Sequence, residues 1–218
     1  ERGFYKSHVV CVGTPEGKAI ERDTDVRADS SIEKLSSLRP VFYKDGTITA
    51  ANASPLTDGA SAVLMMSESK ARELKMKPLG VVRAVASAAV NIQKEPLLIG
   101  PAYAIPRALK LAGIRWDDLD LLEVHEAFAA QVLATLKAIE SPQFAKEKLG
   151  LAQPIGHVDK SKLNVNGGSI SIGHPFGATG TRLVIQTLQE LHARKKSLGL
   201  ISICAAGGIG TVLIVEAI

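Results

Sequence analysis

The sequence predicts an α/β layered fold in which helices cover a mixed β-sheet. Apolar segments suited to buried strands alternate with helical segments, and the chain ends on two successive strand-like segments. Of the 218 residues, 46% are hydrophobic but only 4% are aromatic, so we expect an aliphatic, alanine-rich core with helices packed closely on strands. Together these observations indicate one layered domain, alone or with part of another.

The first part of the chain has no regular pattern. Residues 1–45 are charge-rich and predict loops with a short helix near 30–38. Residues 47–50 predict a strand, 52–58 are rich in turn formers, and the continuous apolar run at 59–66 predicts a buried strand. This part is too small to form a core of its own.

We therefore expect a domain boundary between residues 67 and 80. On this prediction, 1–67 is the remnant of a loop region and the last strands of an N-terminal domain, and 68–218 is a complete C-terminal domain. The chain begins at Glu1 rather than at Met, which agrees with the expectation that an N-terminal part is missing.

The second part of the chain follows a regular order of strands and helices. A helix at 101–112 should end at Gly113, since glycine commonly terminates helices. The remaining predictions are a helix at 67–76, strands at 81–90 and 119–124, a helix at 126–138, a long connection with a helical stretch near 142–149, a helix at 177–195, and strands at 197–204 and 210–216.

Composition argues against several classes of protein. The net charge is +4, but basic and acidic residues are interspersed, so nucleic-acid binding is not indicated; an attraction for phosphorylated small molecules fits equally well. The two cysteines, Cys11 and Cys204, do not form a secreted-type framework, although a single disulfide stays open. We find no metal-ligand spacing and no apolar run long enough to span a membrane. A reducing compartment is expected.

One glycine-rich stretch, residues 164–182, holds a candidate catalytic histidine. His174 lies between Gly173 and Pro175 just before a predicted helix, which fixes its backbone at the mouth of a turn. An imidazole there could take a proton from a thiol and then donate a hydrogen bond to an oxyanion. For Gly-His-Pro alone, a structural turn histidine would be the better interpretation; the surrounding glycines favour a functional one.

A second reactive side chain, Cys204, ends an apolar strand and enters the turn Ala-Ala-Gly-Gly-Ile-Gly. Most cysteines at strand ends are small hydrophobic residues. Here the following turn would expose successive N–H groups that can bind a developing negative charge, and the thiol beside them could act as an acid or base toward carbon. Cys11 has no comparable activator nearby.

His125 and Phe128 lie where the strand at 119–124 meets the next helix, a position that commonly lines the ligand crevice of α/β sheets. His125 could orient a water or bind a carbonyl. Phe128 could form the wall of an acyl or pantetheine channel or belong to the core. For Glu126 we expect a structural role in the first turn of that helix, where a carboxylate interacts favourably with the helix dipole.

Four segments, in this order and spacing, resemble the C-terminal half of thiolases: residues 46–60, 125–129, 164–182 and 204–210. The forms His-Glu-Ala-Phe and Cys-Ala-Ala-Gly-Gly are most similar to the thiolase (β) subunit of fatty-acid β-oxidation complexes. The resemblance implies a thiolase-like layered fold and cleavage of 3-ketoacyl-CoA by CoA, giving acetyl-CoA and a shortened acyl-CoA. The nucleophilic cysteine of this family belongs to the N-terminal half, which is absent here.

The resemblance also implies roles for individual residues. His174 would activate the nucleophile, Cys204 would act as acid and base, and His125, which stands where many relatives carry Asn, would hold a water in an oxyanion hole. A second oxyanion hole would use the backbone of Ala206 and Gly207. Contacts with substrate or CoA are implied for Phe128, Ser171 and Gly173.

Partners follow from the same resemblance. It implies coenzyme A as co-substrate, no bound cofactor and no metal, a homodimer, and possible association with a hydratase/dehydrogenase subunit. The expected location is the bacterial cytoplasm, with the mitochondrial matrix as the alternative. Two other functions stay open, namely a non-catalytic thiolase-fold fragment that dimerises or docks in a complex, and a biosynthetic thiolase that forms acetoacetyl-CoA. Gly-His-Pro and Cys-Ala-Ala-Gly-Gly argue against ketoacyl synthases.

Overall fold

A four-stranded mixed sheet organises the chain in the computed structural model, which describes residues 3–7 and 9–218. Its strands are β3 (Gly80–Ala89), β4 (Leu121–Val124), β5 (Leu198–Ala205) and β6 (Ile209–Ala217). The strand order is β3-β6-β5-β4; β4 and β5 are parallel, whereas β6 is antiparallel to both of its neighbours. The mixed sheet predicted from the sequence is thus confirmed.

The two central strands, β5 and β6, are apolar because both of their faces are covered. β5 reads Leu-Gly-Leu-Ile-Ser-Ile-Cys-Ala, and its residues 199–202 are all buried. A near-continuous apolar run of this kind is typical of a strand that has a helix on each side. The outer strand β3 instead alternates, with Ala84, Ala86 and Ala88 buried and the residues between them exposed, because only one of its faces meets a helix.

Two helices cover the sheet from opposite sides. Helix α3 (Gly100–Ala112) contacts β3 and β6, and its Ala104 and Ala108 belong to the larger apolar cluster. Helix α7 (Thr179–Arg194) lies against β4, β5 and β6 and contributes Leu183 and Leu191 to a second cluster. Alanines at the α3 contact let helix and strand approach closely, as the low aromatic content predicted.

The start of α3 lies very close to the start of β6. A Cβ atom added at Gly210 would lie 2.1 Å from the backbone nitrogen of Pro101, and one added at Gly100 would lie 2.5 Å from that of Gly210. Neither position can accept a side chain unless the two backbones separate. The pair therefore fixes the N-terminus of α3 against the turn that precedes β6.

The predicted strands at 47–50 and 59–66 are wrong. Asn52 takes the backbone groups of the first segment, because its side chain accepts from the Thr49 N–H at 2.9 Å and donates to the Thr47 carbonyl at 2.8 Å. The second segment is extended but forms no ladder in the described residues, and Leu64 and Met65 are 72% and 71% exposed. Its apolar composition is real, but no strand of the described chain pairs with it.

The other elements agree with the sequence within a few residues. The helix expected at 126–138 begins later, at Ala129, because Phe128 adopts an extended backbone at its N-cap. The domain boundary after residue 67 stays a prediction. The remaining elements are 3₁₀ turns Phe4–Ser7, Trp116–Asp118 and Lys160–Lys162, strands β1 (Val12–Gly13) and β2 (Ala19–Ile20), helices α1 (Ile32–Ser36), α2 (Glu68–Glu73), α4 (Ala129–Glu140), α5 (Pro142–Phe144) and α6 (Ser169–Ile172), and the π-turn Ala145–Leu149.

Candidate active site

The candidate catalytic side chains gather at the carboxyl ends of the parallel strands β4 and β5. His125 follows β4 directly, and its backbone N–H donates to the Ser202 carbonyl of β5 at 2.8 Å. Cys204 lies two residues further along β5. The segment at 52–58 holds His174 in place, since the backbone N–H of His174 donates to the Pro55 carbonyl at 3.0 Å. This end of a sheet is where ligands of α/β proteins usually bind.

The structure brings His125 and His174 into direct ring contact. Their ring centroids lie 4.1 Å apart with the planes tilted by 42°. His125 is 1% exposed, whereas His174 is only partly buried and its ring also contacts the exposed Phe176, with the ring centroids 4.9 Å apart. Two imidazoles this close cannot both carry a positive charge without strong repulsion. The sequence placed these residues 49 positions apart.

His174 is oriented for use as a base. Its Nδ1 lies 2.6 Å from Thr179 Oγ1, and that hydroxyl donates in turn to the Pro175 carbonyl at 3.4 Å. A hydroxyl has one proton, so Thr179 is left to accept a hydrogen bond from Nδ1–H of His174. This tautomer leaves the lone pair on Nε2. Desolvation, and after it the positive charge of Arg182, lower the pKa of His174 below its ordinary 6.5, so the ring is neutral at pH 7.

This lowered pKa predicts the acid limb of the pH profile for a reaction in which His174 is the base. A base works only while it is unprotonated, and a lowered pKa keeps the neutral form present as pH falls through 6.5. We therefore expect the rate of a reaction that uses His174 as its base to fall only below that pH. His125 should not add to this limb, since burial lowers its pKa to about 3. An acid limb centred at or above 6.5 would contradict the assignment.

Cys204 is suited to donate a proton before it accepts one. The residue is 5% exposed, and burial raises the pKa of its thiol to about 11, although a backbone interaction with Ala127 opposes the shift. At neutral pH the side chain is therefore a thiol, not a thiolate. Cys11, the other free cysteine, is exposed.

The turn after Cys204 requires glycine at two positions. Gly207 and Gly208 have φ of +85° and +80°, a region that side chains other than glycine rarely adopt. The Gly208 carbonyl accepts from the Val90 N–H at 3.0 Å, so the turn is tied to the end of β3. Ala206 and Gly207 are exposed at its tip, where their N–H groups can meet a ligand. Their role in an oxyanion hole stays a prediction.

The three predicted substrate contacts differ in their surroundings. Gly173 is buried with φ of +89°, and a Cβ atom there would lie 2.3 Å from the Thr57 hydroxyl oxygen, so its role is to let His174 approach that loop. Ser171 is exposed, and its hydroxyl donates to the Gly168 carbonyl at 2.9 Å. The Phe128 ring meets Phe42 at 6.0 Å, edge to face. For all three, contact with substrate stays a prediction.

Glu126 caps a different helix from the one expected. It lies before α4, and its carboxylate accepts from the Ile170 N–H at 3.1 Å, in the first turn of α6. The same carboxylate accepts from the Asn164 amide at 2.7 Å. It also fills the space beside Gly168, where a Cβ atom would lie 2.3 Å away. Glu126 therefore shapes the glycine-rich segment that carries His174.

Sequence reasoning missed a buried polar network behind His125. Ser169 and Arg182 join His125 to the interior of α7, and Gln186 and Glu123 continue the network across β4. Glu123 is fully buried, and burial raises its pKa to about 8. The sequence does contain a signal for this network. Arg182, Gln186 and Glu190 are four residues apart and so lie on one side of a helix, and that side faces the sheet.

Other kinds of site are not indicated within the described residues. No group of three or more His, Cys, Asp or Glu side chains in residues 3–7 and 9–218 is arranged to hold a metal ion. Across the same part of the chain, no helix has both the length and the apolar character needed to cross a membrane.

Comparison with known protein families identifies this arrangement. The model described as "Thiolase, C-terminal domain" matches residues 76–217, and "Thiolase, N-terminal domain" matches residues 1–69. The chain belongs to the thiolase family. Among curated thiolases, the 3-ketoacyl-CoA thiolase of Yersinia enterocolitica is 55% identical over 203 residues, which are 93% of this chain and 46% of that protein. The enzyme of the same name from Alteromonas mediterranea is 53% identical over 218 residues, 99% of this chain and 50% of that protein.

Solved thiolase structures share the fold. Human mitochondrial 3-ketoacyl-CoA thiolase superposes with a TM-score of 0.84 at 34% identity, covering 99% of this chain and 50% of that one. Bacillus anthracis acetyl-CoA acetyltransferase also reaches 0.84, at 36% identity, covering 99% of this chain and 51% of that one. The thiolase fold predicted from the sequence motifs is confirmed. This thiolase chain spans about half the length of the curated relatives it matches.

Proposed function

We propose that this chain is the C-terminal part of a 3-ketoacyl-CoA thiolase, an acetyl-CoA C-acyltransferase that acts in fatty-acid β-oxidation. The observation that carries the proposal is the ring contact of His125 and His174, which lie with Cys204 at the carboxyl ends of two adjacent parallel strands. Curated relatives that carry the name 3-ketoacyl-CoA thiolase, at 50–55% identity, support the substrate class.

The first half of the reaction would use His174. A cysteine thiol from the N-terminal half gives its proton to Nε2 of His174, and the thiolate attacks the keto carbon of a 3-ketoacyl-CoA. The carbonyl oxygen becomes an oxyanion, which hydrogen-bond donors at the site stabilise. When this intermediate collapses, the bond between C2 and C3 breaks, the acyl group stays on the cysteine, and the bonding electrons leave on acetyl-CoA as its enolate.

The second half would use Cys204. Its thiol, kept protonated by burial, delivers a proton to C2 of the enolate and so releases acetyl-CoA. The resulting Cys204 thiolate removes the proton from an incoming CoA thiol, and the CoA thiolate attacks the acyl-cysteine. The shortened acyl-CoA leaves, and the nucleophilic cysteine recovers its proton from His174. Both side chains return to their starting state.

The oxyanion donors would come from two places. His125 is buried and neutral, because its pKa lies near 3, so it can offer a ring N–H without introducing charge. The exposed N–H groups of Ala206 and Gly207 would serve the enolate oxygen beside Cys204. Removal of a single oxyanion donor typically lowers kcat by about 10²–10³-fold.

The partners we propose are those of a β-oxidation thiolase. CoA would be a co-substrate with no bound cofactor; a solved thiolase related to this chain was crystallised with CoA. We further propose a homodimer that associates with a hydratase/dehydrogenase subunit in the bacterial cytoplasm. Size measurement of the assembled protein, alone and with that subunit, tests both associations.

The deciding experiment combines this chain with an N-terminal thiolase half. The chain alone should not cleave a medium-chain 3-ketoacyl-CoA, whereas the chain with an N-terminal thiolase half should do so in the presence of CoA, followed by loss of the substrate's absorbance. A Cys11→Ser chain is the matched control, and it should be restored equally because Cys11 is exposed. Turnover by the chain alone would place the nucleophile here, and no turnover with both halves would favour a non-catalytic fragment.

A further inference from the structure

We propose that Ser169 and Arg182 are positioning residues that hold His125 in one tautomer, with the proton on Nε2. This inference rests on the proposed function only for its catalytic consequence, since the tautomer itself is a property of the folded chain. It assigns a purpose to a buried cluster of polar side chains that the mechanism above does not use.

The contacts form a short chain of three groups. Ser169 Oγ lies 3.0 Å from Nδ1 of His125 and 3.0 Å from Nη2 of Arg182. Both Ser169 and His125 are 1% exposed, so water does not compete for these bonds. The side chain of Ser169 is thus an intermediate between the histidine ring and the guanidinium.

The direction of each hydrogen bond follows from proton counting. A guanidinium has N–H donors and no acceptor, so Arg182 must donate and Ser169 Oγ must accept. The single hydroxyl proton of Ser169 is then directed to Nδ1 of His125, which has to accept it. A neutral imidazole that accepts at Nδ1 carries its proton on Nε2. The opposite tautomer would leave the buried hydroxyl proton without a hydrogen-bond acceptor among the described residues.

The guanidinium is itself held in place from within the fold. Gln186 Oε1 accepts from Arg182 Nη1 at 3.5 Å, and the Tyr5 hydroxyl lies 3.2 Å from the same oxygen. The amide nitrogen of Gln186 donates to Glu123 at 3.1 Å, which fixes which end of the amide faces Arg182. Gln186 and Glu123 are 1% and 0% exposed. Arg182 is therefore oriented by neighbours that cannot rearrange easily.

The consequence is a pair of contacting histidines in opposite states. Thr179 accepts from Nδ1–H of His174 and leaves a lone pair on its Nε2, whereas Ser169 donates to Nδ1 of His125 and leaves an N–H on its Nε2. One ring is prepared to take a proton and the other to donate a hydrogen bond to an oxyanion. The two rings differ because the hydroxyl next to His174 accepts a hydrogen bond, whereas the hydroxyl next to His125 donates one.

The test reads the tautomer directly, in the protein with its N-terminal thiolase domain present. Histidine labelled with ¹⁵N gives distinct nitrogen shifts for protonated and unprotonated ring positions, and the His125 signals are identified by their loss in a His125→Gln variant. In the unmodified protein we expect Nε2 of His125 to be protonated and Nδ1 unprotonated. Protonation at Nδ1 would overturn the proposal.

Variants separate positioning from packing. Ser169→Ala should give His125 signals averaged between the tautomers and lower kcat by about tenfold with KM nearly unchanged, less than the about 10²–10³-fold that follows loss of an oxyanion donor itself. Ser169→Thr keeps the hydroxyl and should restore both the fixed tautomer and most of kcat. A Ser169→Ala protein with an unchanged tautomer and unchanged kcat would overturn the proposal.

The same measurements distinguish this inference from the proposed function. A protein that lacks thiolysis but shows Nε2–H on His125, lost in Ser169→Ala and retained in Ser169→Thr, would support the positioning role and contradict the proposed function. An Arg182→Met variant adds a second check, because Ser169 Oγ then no longer has to accept from a group that can only donate. Its His125 tautomer should become mixed, and a tautomer that stays fixed would contradict the role of Arg182.

Discussion

Replacing His174 by alanine should lower thiolysis by about 10²–10⁴-fold, the contribution typical of a general acid–base group. His125 should not replace the lost imidazole as the base, since burial lowers its pKa to about 3. The loss should appear in acylation of the nucleophile, measured as the rapid release of acetyl-CoA in a single turnover with excess enzyme.

The matched control for this experiment is His157→Ala. The His157 side chain is 87% exposed and pairs with Glu140, away from the two contacting histidines, so its removal should leave turnover unchanged. Near-normal turnover in the His174→Ala protein would show that another group activates the nucleophile. Circular dichroism of both variants verifies that the fold is retained.

Replacing Cys204 by alanine should reduce the overall rate to a similar extent, about 10²–10⁴-fold, but at a different step. In the proposed mechanism, the thiol supplies the proton that converts the enolate to acetyl-CoA. In heavy water, the intact enzyme should therefore exchange deuterium into the methyl group of acetyl-CoA, and the Cys204→Ala enzyme should not. Mass spectrometry of acetyl-CoA incubated with each protein measures this directly.

Two comparisons make the Cys204 experiment specific. Cys204→Ser keeps a proton donor, but a hydroxyl is a weaker acid than a thiol, so we expect exchange between that of the alanine variant and that of the original. Cys11→Ala removes the other cysteine, which is exposed, and should exchange normally. Deuterium exchange at the normal rate in Cys204→Ala would assign the acid–base role to a different group.

The sequence predicted the layered domain and the candidate site because both leave local signals. The strands β5 and β6, the helix α7 and the turn after Cys204 are each encoded by a contiguous pattern of apolar residues or glycines. His125, His174 and Cys204 were identified by the composition around them and by the resemblance of four segments to thiolases. Their convergence follows from the order of the strands.

The apolar run at 59–66 shows where local patterns fail. It has the composition of a buried strand, yet Leu64 and Met65 are largely exposed and no ladder forms in the described residues. A strand depends on a partner for its hydrogen bonds, so composition alone cannot establish that it pairs. Short polar segments such as 47–50 fail for a related reason, because a single side chain, Asn52, satisfies the backbone instead.

The polar network behind His125 was missed because it is distributed. Ser169, Arg182 and Glu123 come from three different elements, and each is an ordinary residue in its own neighbourhood. What makes them a unit is burial, which turns scattered polar side chains into obligatory hydrogen-bond partners. A helix that repeats polar residues every four positions on its covered side is the clue that would have pointed to it.

The contact between Gly100 and Gly210 has a consequence for engineering this scaffold. Because β6 starts against the first turn of α3, the turn that follows Cys204 cannot be lengthened or moved without moving that helix. Attempts to broaden the range of accepted substrates should therefore leave these two glycines unchanged. Diversity is better introduced at Phe128 and its aromatic neighbour Phe42, because their edge-to-face contact is made by side chains and not by a backbone junction.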